Sequence, residues 1–475
     1  MSFVSTLMRK TPLEAFADLA QTPKYLGWPM LAALGIGGAI GAGIFAMPGI
    51  IALKAGAGGV LSFAISGAVI LMVAICYERF SMLIPNGTSA YSYVYHSIGE
   101  LFAWIVAFGL FLEYSFGSSA VAIGWAAYLK KALSLNIPAF WCGPTTVDGH
   151  FTFGINAIAV GVIALVTIIL ILGGVKKSAT LNFALVCLKI VLLTTFLLVG
   201  IRHIDPTNWT PFMPRGFDGV LQGAALCLFP YIGFDALFTF ARESKSLKDT
   251  RKATYWCVAI VAFLYITVMA VATGLAPSYS NTTPPVPNPL FAGSEAAAPL
   301  AVLLAHVGEG WTSTFIAFGA VLGIFNVLLV LCMGGPRIFR NMAEDGLLPK
   351  IFSKSNNGNP IFGVALNGTV VALTAGLVPF GQITDMMVLG TLVAFIFVCI
   401  GAVKLKLVSW PLGGVAAICC AILAFKLDPL VLRVYSVSCP LGLLIYFFYG
   451  RSHSKLGRLQ SAQAQEPVKA PLPDA

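Results

Sequence analysis

The sequence predicts an all-α polytopic membrane protein that crosses the bilayer about twelve times, as two five-helix inverted repeats followed by two further helices. Three observations predict it. Hydrophobic residues make up 58% of the 475-residue chain and charged residues only 10%, whereas a soluble domain carries about 25% charge. Apolar runs long enough to cross about 30 Å of hydrocarbon recur from Trp28 to Tyr449. Two of those runs, the first and the sixth, contain residues that interrupt helices.

The expected spans are 28–53, 60–84, 98–129, 152–173, 180–200, 219–241, 255–276, 312–338, 361–378, 383–403, 409–425 and 432–449. Basic residues concentrate in alternate gaps, among them Arg9, Lys10, Lys24, Arg79, Lys176, Lys177, Arg242, Lys245, Arg337 and Lys350. Positive charge is retained on the cytoplasmic side, so both termini are expected there. The organisation expected is a cytoplasmic segment over 1–27, a ten-helix core over 28–403 with repeats of about 28–200 and 219–403, two more helices over 404–450, and a disordered cytoplasmic tail over 451–475. The gap 277–311 reads as an external loop with a short surface helix near Ala296 to His306. No cleavable signal is expected, and Pro12 to Leu19 could lie along the membrane surface.

A formal charge of +10 would suggest nucleic acid on a soluble domain. Here it belongs to the loops and sets orientation. Ten cysteines show no metal-ligand spacing, the five histidines form no recognisable ligand set, and no Walker motif is present. No metal, cofactor, nucleotide or nucleic acid is therefore expected, and the chain does not read as an enzyme.

The first span reads GIGGAIGAGIF from Gly35 to Phe45, with five glycines. A packing seam needs fewer, so local unwinding near Ile40, Gly41, Ala42 and Gly43 is the stronger reading. The sixth reads LFPYIGFDALF from Leu228 to Phe238, where Pro230, Gly233 and Asp235 point to a discontinuous helix more than to a simple kink. Unwound backbone at membrane depth must face protein or a water-filled cavity. Amides at the helix start near Gly43 suit a carboxylate. Carbonyls of Phe229, Pro230, Tyr231 and Ile232 suit an ammonium group, and together the two breaks suit an α-amino acid.

Buried charges add candidates. Lys189 lies in NFALVCLKIVLLTTFLL, far from either headgroup layer, and reads as a proton-coupling residue or one partner of a fixed salt bridge. Glu113 could pair with a buried cation, relay a proton or meet a basic substrate side chain. Asp235, next to Phe234, could cap the second half-helix or contact substrate. Asn326 could bond between helices or line the pocket. Arg337, Arg340, Glu344 and Asp345 form either a charged helix end or, with the loop from Arg242 to Lys252, a cytoplasmic gate.

The stretches GAIGAGIFAMPG (38–49), IPNGTSAYSYVYHSIGELFAWIVAFGLFLEY (84–114), NWTPFMPRGFDGVLQGAALCLFPYIGFDALFTF (208–240) and LGIFNVLLVLCMGGPRIFRNMAEDGLLP (322–349), with NPIFGV from Asn359, resemble the bacterial cationic amino acid transporter family of the amino acid–polyamine–organocation superfamily. The resemblance covers most of the chain. It implies a LeuT-like fold, substrate carboxylate at the amides near Ala42 and Gly43, and its amino group at the carbonyls of Phe229, Pro230 and Ile232. It also implies that Lys189 stands where sodium-coupled cousins hold their ion, and that Glu113 and Asp235 lie around the substrate. Pro230, Ala42, Asn326 and the pair Arg242-Glu243 depart from the family pattern.

The expected function is secondary transport of L-amino acids across a bacterial inner membrane, proton-coupled and cationic in substrate. The partners expected are an amino acid, protons and the lipid bilayer, with room for a small single-span membrane partner. A small neutral amino acid symporter or an exchanger is the alternative within transport. A non-transporting amino acid sensor or an ion channel is the alternative outside it.

Overall fold

The computed structural model describes residues 26–84, 89–147, 150–172, 179–239, 244–282, 285–291, 297–356 and 359–458. The protein is a polytopic all-α membrane protein, with two short hairpins in loops: β1 (Thr145–Val147) pairs with β2 (His150–Thr152), and β3 (Ser355–Asn356) with β4 (Asn359–Pro360). Among the described residues, seven helical stretches are long and apolar enough to cross a membrane, and four shorter apolar helices accompany them.

The first expected span is two helices, α1 (Trp28–Ala39) and α2 (Ala42–Ala55). They are followed by α3 (Gly59–Leu83), a short α4 (Ala90–Ser97), α5 (Glu100–Ala132), α6 (Ala157–Leu172) and α7 (Ala179–Gly200). The sixth expected span is α8 (Gly216–Tyr231) and α9 (Ala236–Thr239). The rest is α10 (Leu247–Leu275), α11 (Pro299–His306), α12 (Gly310–Glu344), α13 (Ile361–Leu377), α14 (Phe380–Lys404), α15 (Trp410–Phe425) and α16 (Pro429–Ile445). The two broken elements pack on each other, α2 along α8 and α1 against α9, while α5, α10, α12 and α14 enclose them.

In lipid there is little hydrophobic gain from pairing two apolar helices, so small and polar residues supply the contacts. Two seams illustrate this. Ser62 and Ser66 of α3 donate to the Val220 and Ala224 carbonyls of α8 at 2.8 and 2.5 Å. On the far side of the bundle, Ser115 of α5 donates to Asn367 Oδ1 of α13 at 2.7 Å, and Asn367 Nδ2 reaches the Cys332 carbonyl of α12 at 3.3 Å.

Two expectations are corrected. The short helix expected on the external surface is α11, and Pro299 through Leu304 are all buried. Its apolar run PLAVLL has no polar face to offer water, so it wedges against α2 and α12 instead. The tail expected to be disordered from Arg451 is ordered to Arg458. Ser454 donates to Glu100 Oε2, Tyr446 donates to Glu100 Oε1 at 3.0 Å, and the Lys455 amide donates to the Asp345 carbonyl at 3.0 Å. Glu100 is fully buried, and these hydroxyls satisfy a carboxylate that would otherwise be costly there. The expectations for 1–25, for Lys176 and Lys177, for Arg242 and for 459–475 lie outside the described residues.

The packing between the breaks is close. A Cβ on Gly43 would lie 2.7 Å from Pro230 Cα and 2.9 Å from its nitrogen, both backbone atoms that cannot turn aside. Gly43→Ala should therefore lower the thermal midpoint by an amount corresponding to about 1–3 kcal/mol of overpacking. Gly161→Ala, where a Cβ meets nothing within 4 Å, should leave the midpoint unchanged or raise it. Thermal denaturation in detergent checks both, and equal midpoints for the two variants would contradict the close contact.

Candidate functional site

The glycine run ends α1 at Ala39. Ile40 turns out of the helix at φ −69°, ψ 77°, and Gly41 is extended. Gly41 is also the N-cap of α2, and no side chain caps it. The first-turn amides of α2, from Ala42 and Gly43 onward, thus lack a side-chain acceptor, and the helix dipole adds partial positive charge there.

In the other broken element, Pro230 lies in the last turn of α8 and the chain leaves the helix after Tyr231. Gly233 has φ +107°, which favours glycine, and a Cβ there would collide with the Gly38 carbonyl. The carbonyls differ in what they already hold. Phe229 O accepts from the Ile232 amide at 3.0 Å and Tyr231 O from the Phe234 amide at 3.3 Å. Pro230 O accepts from the Tyr265 hydroxyl at 2.9 Å, and the same hydroxyl reaches Ala39 O at 2.7 Å.

Beside the breaks is a cavity of about 60 Å³. Glu113, Ile232, Phe234 and Asp235 line it, with Tyr77 and Phe395. Glu113 is 7% exposed on α5. Tyr77 sits 5.7 Å from the Phe234 ring and 6.0 Å from Phe395, both edge-on. Two carboxylates and an aromatic wall therefore converge on one small space, which is large enough for only a water or two. A larger cavity of about 410 Å³ lies elsewhere, at the end of α5 and the start of α12, where Lys130, Lys131 and Trp141 line it. It shares no residue with the breaks.

Lys189 is 3% exposed. Its stem lies against Gly323 of α12, where an added Cβ would be 3.0 Å from Lys189 Cγ. One turn earlier, Val186 lies against Gly37 of α1 in the same way, at 3.1 Å. Residues three apart share a helix face, so Lys189 is on the face of α7 that meets both the broken first element and α12. Asn326 is one turn beyond Gly323 and is not among the residues lining the small cavity.

The four gate candidates separate. Arg340 pairs with Glu344 at 2.7 Å along its own helix, and Arg337 is exposed. Asp345 reaches another element, accepting from the Tyr91 hydroxyl of α4 at 2.6 Å. Burial pushes its carboxyl above the usual carboxylate range, and the Tyr91 bond opposes that shift. A contact not anticipated from sequence is Arg251 of α10 with Glu78 of α3, at 3.3 Å, where Glu78 is 1% exposed.

The sequence does not single out Tyr77, Tyr265 or Phe395. Their residue types are ordinary in apolar spans, and the signal that could have found two of them is a phenol inside a span, at Tyr77 and at Tyr265, whose hydroxyl must find a partner.

Comparison with known proteins matches this architecture to one family. The amino acid permease family model matches residues 26–449. The chain is 35% identical to the branched-chain amino acid permease BcaP of Bacillus subtilis (strain 168), over 90% of this chain and 93% of that protein. It is 32% identical to the methylthioribose transporter of the same organism, over 96% and 100%. It is 29% identical to cationic amino acid transporter 4 of Homo sapiens, over 84% and 62%. With most of its length matched, the chain belongs to the amino acid permease family.

Proposed function

We propose that the protein is a proton-coupled secondary transporter of L-amino acids in a bacterial inner membrane, with both termini cytoplasmic. The observation that carries this reading is the meeting of two broken helices, one offering uncapped amides and the other main-chain carbonyls. In this proposal the amides of Ala42 and Gly43 take the substrate carboxylate, while Ile40 and Gly41, whose own amides donate to the Ile36 and Ala39 carbonyls at 2.8 and 2.6 Å, form the turn that presents them. The carbonyls of Phe229, Pro230, Tyr231 and Ile232 take its ammonium group. Residues 28–403 form the inverted-repeat core, and 404–450 add two helices to it.

Phe234, Glu113 and Asp235, which line the small cavity, surround the substrate side chain, and Asn326, outside that lining, approaches it from α12. Two carboxylates on one small cavity repel each other, and a cation between them relieves that repulsion. This supports a basic side chain such as that of arginine or lysine. A neutral, branched side chain is the second reading, supported by the aliphatic and aromatic remainder of the wall and by the name of the 35% identical relative. Lys189 carries the coupling proton, since its face of α7 touches both the first broken element and α12. Asp345 with Tyr91 forms the cytoplasmic gate together with Arg337, Arg340 and Glu344.

The direct test is uptake of labelled arginine by proteoliposomes under an inward proton gradient, competed with each of the twenty amino acids. Gradient-stimulated uptake blocked chiefly by lysine is expected. Inhibition by leucine and alanine with none by lysine would move the assignment to the neutral reading. Lys189→Met is expected to reduce gradient-driven accumulation at least about tenfold, equivalent to about 1.4 kcal/mol. Unchanged pH dependence in that variant would remove the coupling role. Glu113→Gln is expected to weaken a cationic substrate roughly thirtyfold, the size of one charged hydrogen bond of about 2 kcal/mol, while sparing a neutral one. Equal weakening of both would end its specificity role.

A further inference from the structure

Tyr265 lies in the middle of α10, outside both broken elements, and is fully buried. Its ring is held by Tyr231, with centroids 5.3 Å apart, and by Phe63 at 5.7 Å. The hydroxyl is consequently aimed by packing, and it meets two main-chain oxygens at once. Ala39 O is 2.7 Å away and Pro230 O is 2.9 Å away. The first is the last carbonyl of α1 and the second belongs to the last turn of α8, so one oxygen atom spans both breaks.

A phenol has one hydrogen to donate. Two oxygens within reach of it share that hydrogen, and both stay close only while the breaks remain opposed. A carbonyl carries two lone pairs, so the Tyr265 bond leaves Pro230 O able to accept from an ammonium group and fixes the direction it faces. If Tyr265 served only to satisfy a buried phenol, one carbonyl in its own neighbourhood would suffice, as the Phe63 carbonyl does for Tyr231 at 3.0 Å.

We infer that Tyr265 is a positioning residue for substrate binding: its hydroxyl ties the two helix breaks together and orients the Pro230 carbonyl toward the substrate's amino group. This rests on the reading that an amino acid binds between the breaks. Without the hydroxyl, both carbonyls keep their chemistry but lose their common register. The loss therefore falls on affinity more than on turnover.

The test combines hydrogen exchange of the intact protein in nanodiscs with transport kinetics in proteoliposomes, for wild type, Tyr265→Phe and a form with para-aminophenylalanine at 265. The amino form restores a donor at the same place. Tyr279→Phe is the control, because that hydroxyl bonds the Leu53 carbonyl at the far end of α2. Tyr265→Phe is expected to speed amide exchange over both 39–43 and 230–235 and to raise KM about tenfold or more, with Vmax within about twofold. The amino form should restore both, and Tyr279→Phe should change neither. Unchanged exchange in either segment would overturn the bridge, and so would a fall in Vmax alone or a failure of the amino form to restore KM. If Tyr265→Phe does not fold, the amino form decides: wild-type KM supports the inference and a tenfold rise contradicts it. Absence of saturable amino acid uptake by the wild type would remove the functional reading, while the exchange data would still decide whether the bridge exists.

Discussion

The structure depends on the contact between two interrupted helices. Gly43 meets Pro230 with no space for a methyl group, and Gly233 meets Gly38. Interrupting a helix inside a membrane frees amides and carbonyls that lipid cannot solvate. Each break here is satisfied in part by the other element's surroundings, through the Tyr265 hydroxyl and through turns within each loop. The uncapped amides of α2 are the remainder. A ligand with a carboxylate and an ammonium group would complete what the protein leaves incomplete.

The surrounding helices hold that contact in register. Helix α3 is pinned to α8 by Ser62 and Ser66, and α5 reaches α2 through the Tyr128 hydroxyl on the Phe45 carbonyl at 2.7 Å. The start of α1 is tied to the start of α10, where the Lys245 amide donates to Leu26 O and the Trp28 amide to Asp249. At that end Arg251 and Glu78 join α10 to α3. A motion that opens the space between the breaks must therefore move α1 against α10 or carry both together. Tyr265 ties α10 to both breaks through its hydroxyl.

Much of this was legible in the sequence because the membrane penalises certain residues so heavily. Five glycines within nine positions, a proline three residues before a glycine, and a lysine, a glutamate and an aspartate at depth all stand out against apolar background. Each marks a place where the lipid-facing rule is suspended. The aromatic wall of Tyr77 and Phe395 was not legible, because an aromatic side chain is equally at home facing lipid, packing in a core or lining a site. The spacing of Arg340 and Glu344 is that of a pair on one helix, and the structure places them so. The burial of α11 depends in part on its contact with the distant α2, and the docking of Ser454 on Glu100 joins residues 354 apart, which no local pattern encodes.

The central claim is that the main-chain atoms of the two breaks recognise the two charged ends of an amino acid. The measurement that tests it most directly is competition of transport by paired analogues of the best-accepted amino acid, one with the carboxylate converted to an amide and one lacking the amino group. The account predicts that the parent competes and that both analogues are at least about a hundredfold weaker, since each leaves one charged end unrecognised, a loss of about 2.7 kcal/mol. Competition by either analogue at the parent's concentration would contradict it, and would place the recognition in the side-chain cavity around Glu113 and Asp235 rather than at the breaks.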